Sequence, residues 1–448
     1  MKRIAVVIVM LLFASLFAFA SGSNESSTSG SAAQPATGAA GGSQSGNIGG
    51  STTFLGPWGG SELDIFNSLA SAFKAKTGVT VQYEGTRDSD AILTTRVAAG
   101  NPPDMADFAN PGKMREFAAQ GKLTDLSSVL DMNQLKQEYA QGWIDLGTVN
   151  GKLVGVFVKA ALKGLIWYDP KSFAAAGLTI PTTWDQLMQE SQQLAAKGVT
   201  PWAVGLESGS ASGWPGTDWL EAIFLKMYGP QLYEQWYQGK LPWTSPQVKK
   251  VWETWGQIVA NPKMTYGGSQ YELSTNFGSA FNPIYQNPPQ AYFLLQATFI
   301  QSFIQKAFPN LKPVEDIDFF AFPQIDPQYG KSVEIAGDLA AMFNKTPQSA
   351  AFAKYLTTAE AQSFWVKGSD GISPNRQVPV ADYPDALSRR AAKVLTSADI
   401  AVFDASDQMP GKLNDAFFQA IMNYVSNPGQ LDSILAGLDK VRQDAYTK

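Results

Sequence analysis

Trp58, Arg87, Asp88 and Asn110 each fall in a short loop behind an apolar run, and Trp214 and Asp218 lie in and just after a Gly/Ser-rich loop, Glu207 to Gly216. Ring faces, a guanidinium fork, carboxylates and an amide can hold a small polar molecule by stacking and hydrogen bonding. The 448-residue chain has no Cys and no His. Disulfide staples, iron–sulfur clusters, cysteine-rich zinc sites, cysteine nucleophiles and every histidine-dependent triad or metal ligand set are therefore excluded. Charged residues make up 16% of the chain and the net charge is −5, so there is no basic surface for nucleic acid or anionic lipid. With 12 Trp, 15 Tyr and 26 Phe the chain carries many flat apolar faces, available to a core or to a binding surface.

The elements that must position these loops can be read from periodicity. A strand at Thr53-Phe54-Leu55 runs into the turn Gly56 to Gly60, and a helix follows with Ser61 as N-cap, Leu63, Phe66, Ala70 and Phe73 on one face, and Gly78 as left-handed C-cap. Val79, Val81 and Tyr83 alternate as a strand, Ser89 to Ala99 reads as a helix, Met105 to Phe108 as a buried strand and Gly112 to Gln120 as a helix. Such alternation predicts parallel pairing in a doubly wound sheet, with ligands beyond the carboxyl ends of the strands. A second block repeats the logic: strand Leu165 to Tyr168, helix Trp184 to Lys197, strand Pro201 to Leu206, then the Gly/Ser loop and a helix capped by Thr217 and beginning at Asp218. Two such blocks predict two lobes facing a cleft. At the N-terminus, Lys2 and Arg3 precede an apolar run from Ile4 to Ala20 that ends Ala18-Phe19-Ala20, which predicts an export signal cleaved near Ala20/Ser21. No lipobox cysteine follows, and residues 21–51 read as a flexible leader.

A set of ordered segments resembles the extracellular solute-binding proteins that serve ATP-driven sugar importers: FKAKTGVTV (Phe73 to Val81), AAGNPPD (Ala98 to Asp104), GKLTDL (Gly121 to Leu126), NGKLVG (Asn150 to Gly155), FAAAGLTIPTTWDQL (Phe173 to Leu187) and AAFAKYLTTAEAQSFW (Ala350 to Trp365). Within that family FLGPWG (Phe54 to Gly59), YEGTR (Tyr83 to Arg87), WIDLG (Trp143 to Gly147), LESGSASGWPGTDW (Leu206 to Trp219) and QATFI (Gln296 to Ile300) are similar to the α-glucoside-binding branch. The resemblance implies an α/β, two-lobed periplasmic-binding-protein fold of type II. Its lobe 1 would comprise 52–160 and 326–374, and its lobe 2 161–325 and a helical 375–448. It also implies a periplasmic monomer without enzymatic activity, cofactor or metal, which closes on a short α-linked glucoside and delivers it to membrane permease subunits.

A sugar presents flat C–H faces and vicinal hydroxyls, so the candidates are aromatic, charged or amide residues. Trp58 sits in a Gly/Pro turn with no core face to join; Trp214 and Trp219 flank Pro215 and Asp218. Asp218 could equally be a first-turn carboxylate favoured by the helix dipole, and Arg87 a surface partner of Asp88 or Asp90. Lys159 and Lys163 are either ligand residues or solvated hinge residues at the crossing between lobes. The family resemblance adds Gln296 and Phe299, with Thr298-Phe299 where many relatives have Trp, and the turn Gly337-Asp338; Phe418 reads as core. A receptor for another sugar or small solute, and a secreted glycosidase with two carboxylates at roughly 5–10 Å, are the competing readings.

Overall fold

The computed structural model describes residues 47–396 and 400–447. The export signal and nearly all of the leader lie outside the described residues. Six elements build the first sheet and its flanks: β1 (Ser51–Gly56), α1 (Gly60–Thr77), β2 (Thr80–Gly85), α2 (Ser89–Ala98), β3 (Met105–Phe108) and α3 (Pro111–Ala119). In α1 the buried positions Phe66, Leu69 and Phe73 recur at helical spacing. Gly78 ends the helix at φ 72°, its N–H donating to the Lys74 carbonyl as a left-handed cap does. The helix starts two residues earlier than its sequence predicts, with Gly59 rather than Ser61 at the N-cap. Ser61 is inside the helix and its hydroxyl lies 3.1 Å from that of Ser302.

β1 pairs in parallel with β2 and β3, as the strand–helix alternation predicts. The sheet is completed by chain from far downstream. Ser332–Met342 runs antiparallel to β3 and to Gly155–Leu162, and Ile400–Phe403 adds in parallel at the edge. The register slips between Asp338 and Leu339, where Asp338 faces Lys159 while Leu339 faces Phe157. This bulge turns Lys159 and Asp338 to one side. The second sheet has three antiparallel strands, Leu294–Gln296, Leu165–Tyr168 and Asp318–Ala321, rather than a second parallel set. Pro201 to Leu206 is no strand. It is buried chain with a bridge at Trp202 to Thr265 and Phe293, its amides served singly by carbonyls such as those of Met264 and Phe293.

Each sheet is covered by its own core. Phe54, Phe66, Phe352 and Trp365 pack on one face of the first and Leu55, Phe108, Phe117 and Leu339 on the other. The second lobe gathers Trp202, Trp219, Trp236, Trp243, Trp252 and Trp255 with Phe417 and Tyr424. The chain passes between the sheets just after Leu162, and returns between Ala321 and Ser332. It leaves again after the bridge of Ile372 to Ala160 and comes back for Ile400–Phe403. That last visit places a piece of 375–448 in the first sheet. No described helix is long and apolar enough to cross a membrane.

Candidate functional site

Between the lobes lies a cavity of about 580 Å³, within the roughly 300–1,000 Å³ range of small-molecule sites. Its floor is the crossing strand with the residues just after it, which contribute Lys159 and Lys163. Both lysines are buried, so neither is a solvated hinge residue. Lys159 Nζ donates to Glu62 Oε1 (2.7 Å) and Asp370 Oδ2 (2.8 Å) and lies 3.3 Å from Asp338 Oδ2. Glu62 has a second cation in Arg87, 2.7 Å away, and Asp370 also accepts from the Ser302 hydroxyl at 2.9 Å. Burial pushes the Glu62 carboxyl up, but Lys159 and Arg87 outweigh it and hold it below the usual range. Asp370, with only a share of one lysine and the Glu62 charge beside it, is pushed up by burial to about 7. Burial alone would lower Lys159; its three carboxylates raise it well above an ordinary lysine.

Lys163 repeats the arrangement beneath the second lobe, bonding Asp404 and, at 2.8 Å, Asp218 Oδ1. Asp404 is oriented by its neighbours: Oδ1 accepts from the Ser406 hydroxyl (2.8 Å) and the Asp407 amide (2.9 Å), while Glu221 accepts the amides of Ala405 and Ser406. Burial pushes Asp218 up to about 7, against the pull of Lys163. Asp218, Glu334 and Asp404 bring carboxylate oxygens within 4.8 Å of one another, a spacing that could hold a cation. The Lys163 ammonium bonds two of the three, so the cluster is a lysine socket. Asp218 is thus an ion-pair partner in the body of a helix that begins at Trp214, and Thr217 is no cap: its hydroxyl donates to the Trp214 carbonyl.

The walls are aromatic on the second lobe. Gly213, at φ 111°, turns the Gly/Ser loop into the helix Trp214–Tyr237 and allows the Phe418 carbonyl to approach to where a side chain would sit. Trp214 then stands half-buried at the cavity, 5.0 Å from the Phe277 ring and 6.0 Å from Phe299. Arg87 reaches across from the first lobe to lie 4.7 Å over the Phe277 ring. On the first lobe, Trp58 presents an edge whose Nε1 donates to Asp338 Oδ2 at 2.9 Å. Trp58 does join a core, contrary to its turn-rich setting: it is buried 4.8 Å from Trp365 and 5.1 Å from Phe66.

Of the residues singled out in the sequence, Trp58, Arg87, Asn110, Lys159, Lys163, Trp214, Asp218, Phe299, Gly337 and Asp338 line this cavity. Asn110 also caps α3, accepting from the Lys113 amide, and donates to Asp90 Oδ2 at 3.0 Å. Asp88, Trp219 and Gln296 do not line it. Asp88 lies at the rim, where Oδ1 accepts the Ser210 amide of the other lobe at 2.9 Å. Trp219 is core, edge-on to Trp202 at 4.8 Å. Gln296 is buried at the end of its strand, its side chain accepting the Ala297 amide. Phe418, read as core, is buried and also part of the wall. Sequence reasoning missed Glu62, Asp107, Phe277, Asp370, Asp404 and Asn414 on the cavity. A carboxylate just behind the apolar run Ile400 to Phe403 was a usable signal for Asp404.

The model of the family described as bacterial extracellular solute-binding protein matches residues 59–363. The chain is 37% identical to the osmoprotective compounds-binding protein GgtB of Synechocystis sp., over 83% of this chain and 88% of that one. It is 34% identical to the alpha-glucosides-binding periplasmic protein AglE of Rhizobium meliloti, over 87% and 86%. Among solved structures it resembles a chitin oligosaccharide binding protein (TM-score 0.78, 20% identity, 89% of this chain and 99% of that one). It also resembles RafE in complex with raffinose (TM-score 0.72, 19% identity, 89% and 100%), which together with the first supports the two-lobed type II fold.

Proposed function

The chain belongs to the bacterial extracellular solute-binding protein family of sugar importers, whose members bind cargo without turning it over, and we propose that its own cargo is a short α-linked glucoside. The observation that carries this reading is the pairing of an aromatic wall, Trp214, Phe277 and Phe299, with a floor of carboxylates and two lysines in a cavity of about 580 Å³. Aromatic ring faces suit the C–H face of a pyranose, and charged acceptors suit its hydroxyls. The volume suits one or two rings better than a long oligosaccharide. In this reading the mature protein starts near Ser21, works in the periplasm as a monomer, and hands the sugar to the permease subunits of an ABC importer. The lobe-1 segments are 52–160 and 326–374, and the lobe-2 segments 161–325 and 375–448 apart from the strand Ile400–Phe403.

The likeness to an osmoprotective compounds-binding protein favours small solutes of that class as a second reading. Trehalose and sucrose satisfy both, so the test is a thermal-shift titration with trehalose, sucrose, maltose, a β-linked disaccharide and a non-sugar osmolyte. A ligand at about 100 times its Kd stabilises by roughly 2.7 kcal/mol. A shift with an α-glucoside is expected. A shift only with the β-linked sugar or the non-sugar solute would replace the reading. Thin-layer chromatography of the same mixtures should show the sugar intact.

A further inference from the structure

Three polar side chains on the wall of the cavity have no hydrogen-bond partner within the protein. Asp107 on β3 is 1% exposed and neither carboxylate oxygen is served; Asn414, on the helix Gly411–Ser426, is 2% exposed with both Nδ2 and Oδ1 unpaired; the Ser208 hydroxyl, at 1%, is likewise alone. The other unpaired buried side-chain atoms among the described residues belong to residues that do not line this cavity. Those that do come from both lobes, one from the first sheet and two from the second lobe. A buried polar group without a partner costs roughly 1–3 kcal/mol, and a charged one more. Natural structures keep few of them.

The surroundings offer no relief to Asp107. Asp338, Glu62 and Asp90 face it with like charge, and the one cation near it, Lys159, is taken up by Glu62, Asp370 and Asp338. The Tyr83 hydroxyl, also near, already donates to the Trp58 carbonyl. Burial, followed by the Asp338 charge, pushes the Asp107 carboxyl well above its usual range. Gly56 on the neighbouring strand leaves it room, since a side chain there would meet Asp107 Cβ at 3.2 Å.

We infer that Asp107, Ser208 and Asn414 anchor the ligand, their missing partners being hydroxyl groups of a polyhydroxylated neutral solute that both lobes grip at once. The chemistry of the trio selects this class. Both Asp107 oxygens lack a partner and Asp338, Glu62 and Asp90 surround them with negative charge, so an anion does not suit that side. The Asn414 amide requires an acceptor as well as a donor, so a bare cation does not suit that side. A hydroxyl supplies both functions from one atom, and a sugar presents several on a rigid frame. The inference rests on the glucoside reading for the identity of the solute but not for the role of the three residues.

The test uses full-length mature protein carrying Asp107→Asn, Ser208→Ala or Asn414→Leu, each read out twice. First, the unfolding midpoint is measured without ligand; groups held unpaired for a ligand should leave it unchanged or raised once removed. Second, calorimetric titration is run with whichever of trehalose, sucrose or maltose binds the wild type, and each variant should lose roughly tenfold in affinity. Midpoints that fall by several degrees would make the residues structural and overturn the inference, as would stable variants with unchanged affinity. If none of the three sugars binds the wild type, the glucoside reading falls alone. The midpoints then still decide: unchanged or raised values support a different polyhydroxylated ligand, and lowered values overturn the anchoring role.

Discussion

Trp214 and Trp219 sit five residues apart on one helix and do different work. Trp214, in the first turn, has Phe277 and Phe299 as neighbours and an open flank on the cavity; Trp219, one turn and a half on, is enclosed by Trp202 and Phe322. Trp214→Ala is expected to cost roughly 2 kcal/mol of sugar binding, about thirtyfold in Kd, with a smaller change in folding stability. Trp219→Ala should do the reverse and remove about 3–5 kcal/mol of folding stability. Calorimetric titration and denaturant unfolding of the two variants check the contrast, and a Trp214 variant with intact affinity and a large loss of stability would return that ring to the core. The sequence made Trp214 legible because its loop offers no periodic apolar neighbours. It misled at Trp58 for the same reason, since Trp365, which buries that ring, comes from the far end of the chain. Glu62 and Asp370 escaped notice on similar grounds: each looks like an ordinary helix or loop acid until Lys159 is placed between them.

At the scale of elements, the strand Gly155–Leu162 and its continuation carry the two lysines that organise the floor. Removing a partner from a buried ion pair leaves an uncompensated charge, so Lys163→Met should lower folding stability by about 3–5 kcal/mol by stranding Asp218 and Asp404. A loss under about 1 kcal/mol in denaturant unfolding would show that those carboxylates do not need the lysine. The short helix Gly268–Ser274 supplies a pH-dependent case away from the cavity. Its Glu272 is fully buried, and burial raises it to about 7 although Thr265 pulls the other way. An unfolded Glu titrates near 4.3. The folded state therefore holds the proton more tightly, and stability present below about pH 4 is lost as pH rises to about 7. Glu272→Gln should match the wild type near pH 4 and exceed it by roughly 3–4 kcal/mol at pH 8; an equal difference at both pH values would show that titration is not the cause. The elements that periodicity revealed, β1 to α3, have local patterns strong enough to fix them. Ile400–Phe403 joins the first sheet by pairing with the distant Ser332–Met342, which no local pattern announces, and Pro201 to Leu206 has the composition of a strand but meets single carbonyls where a ladder would be.

The two lobes touch at several points around the cavity. Asp88 and the Arg87 carbonyl meet Ser210, Arg115 reaches Gln408, the Glu116 carboxylate accepts the Gly411 amide at 2.6 Å, and Lys306 pairs with Asp64. These contacts are exposed or only partly buried, and exposed ion pairs of this kind are worth about 0–1 kcal/mol. A handful of them offsets little more than the solvation and side-chain entropy lost in making them. The buried ion pairs, by contrast, stay within one lobe or at the crossing: Lys159 ties Glu62, Asp338 and Asp370 together on the side of the first sheet, and Lys163 ties Asp218 to Asp404, while the Ser302 hydroxyl adds a buried reach across to Ser61 and Asp370. The closed arrangement then depends on what bridges the cavity, and the groups able to be bridged are Trp214, Phe299 and Asn414 on one side and Arg87, Asp107 and Asp338 on the other. A ligand shifts an equilibrium between open and closed forms only by its difference in affinity for the two. A sugar held from both sides has a large difference, because the open form offers it half the contacts. Solution scattering should accordingly give a smaller radius of gyration at saturation with the bound sugar than without it. Asp88→Ala, which removes one rim contact, should alter sugar affinity by less than about 1 kcal/mol. A scattering profile unchanged by saturating sugar would mean that the rim contacts and the crossings hold the lobes by themselves, and closure would then not be the response to cargo.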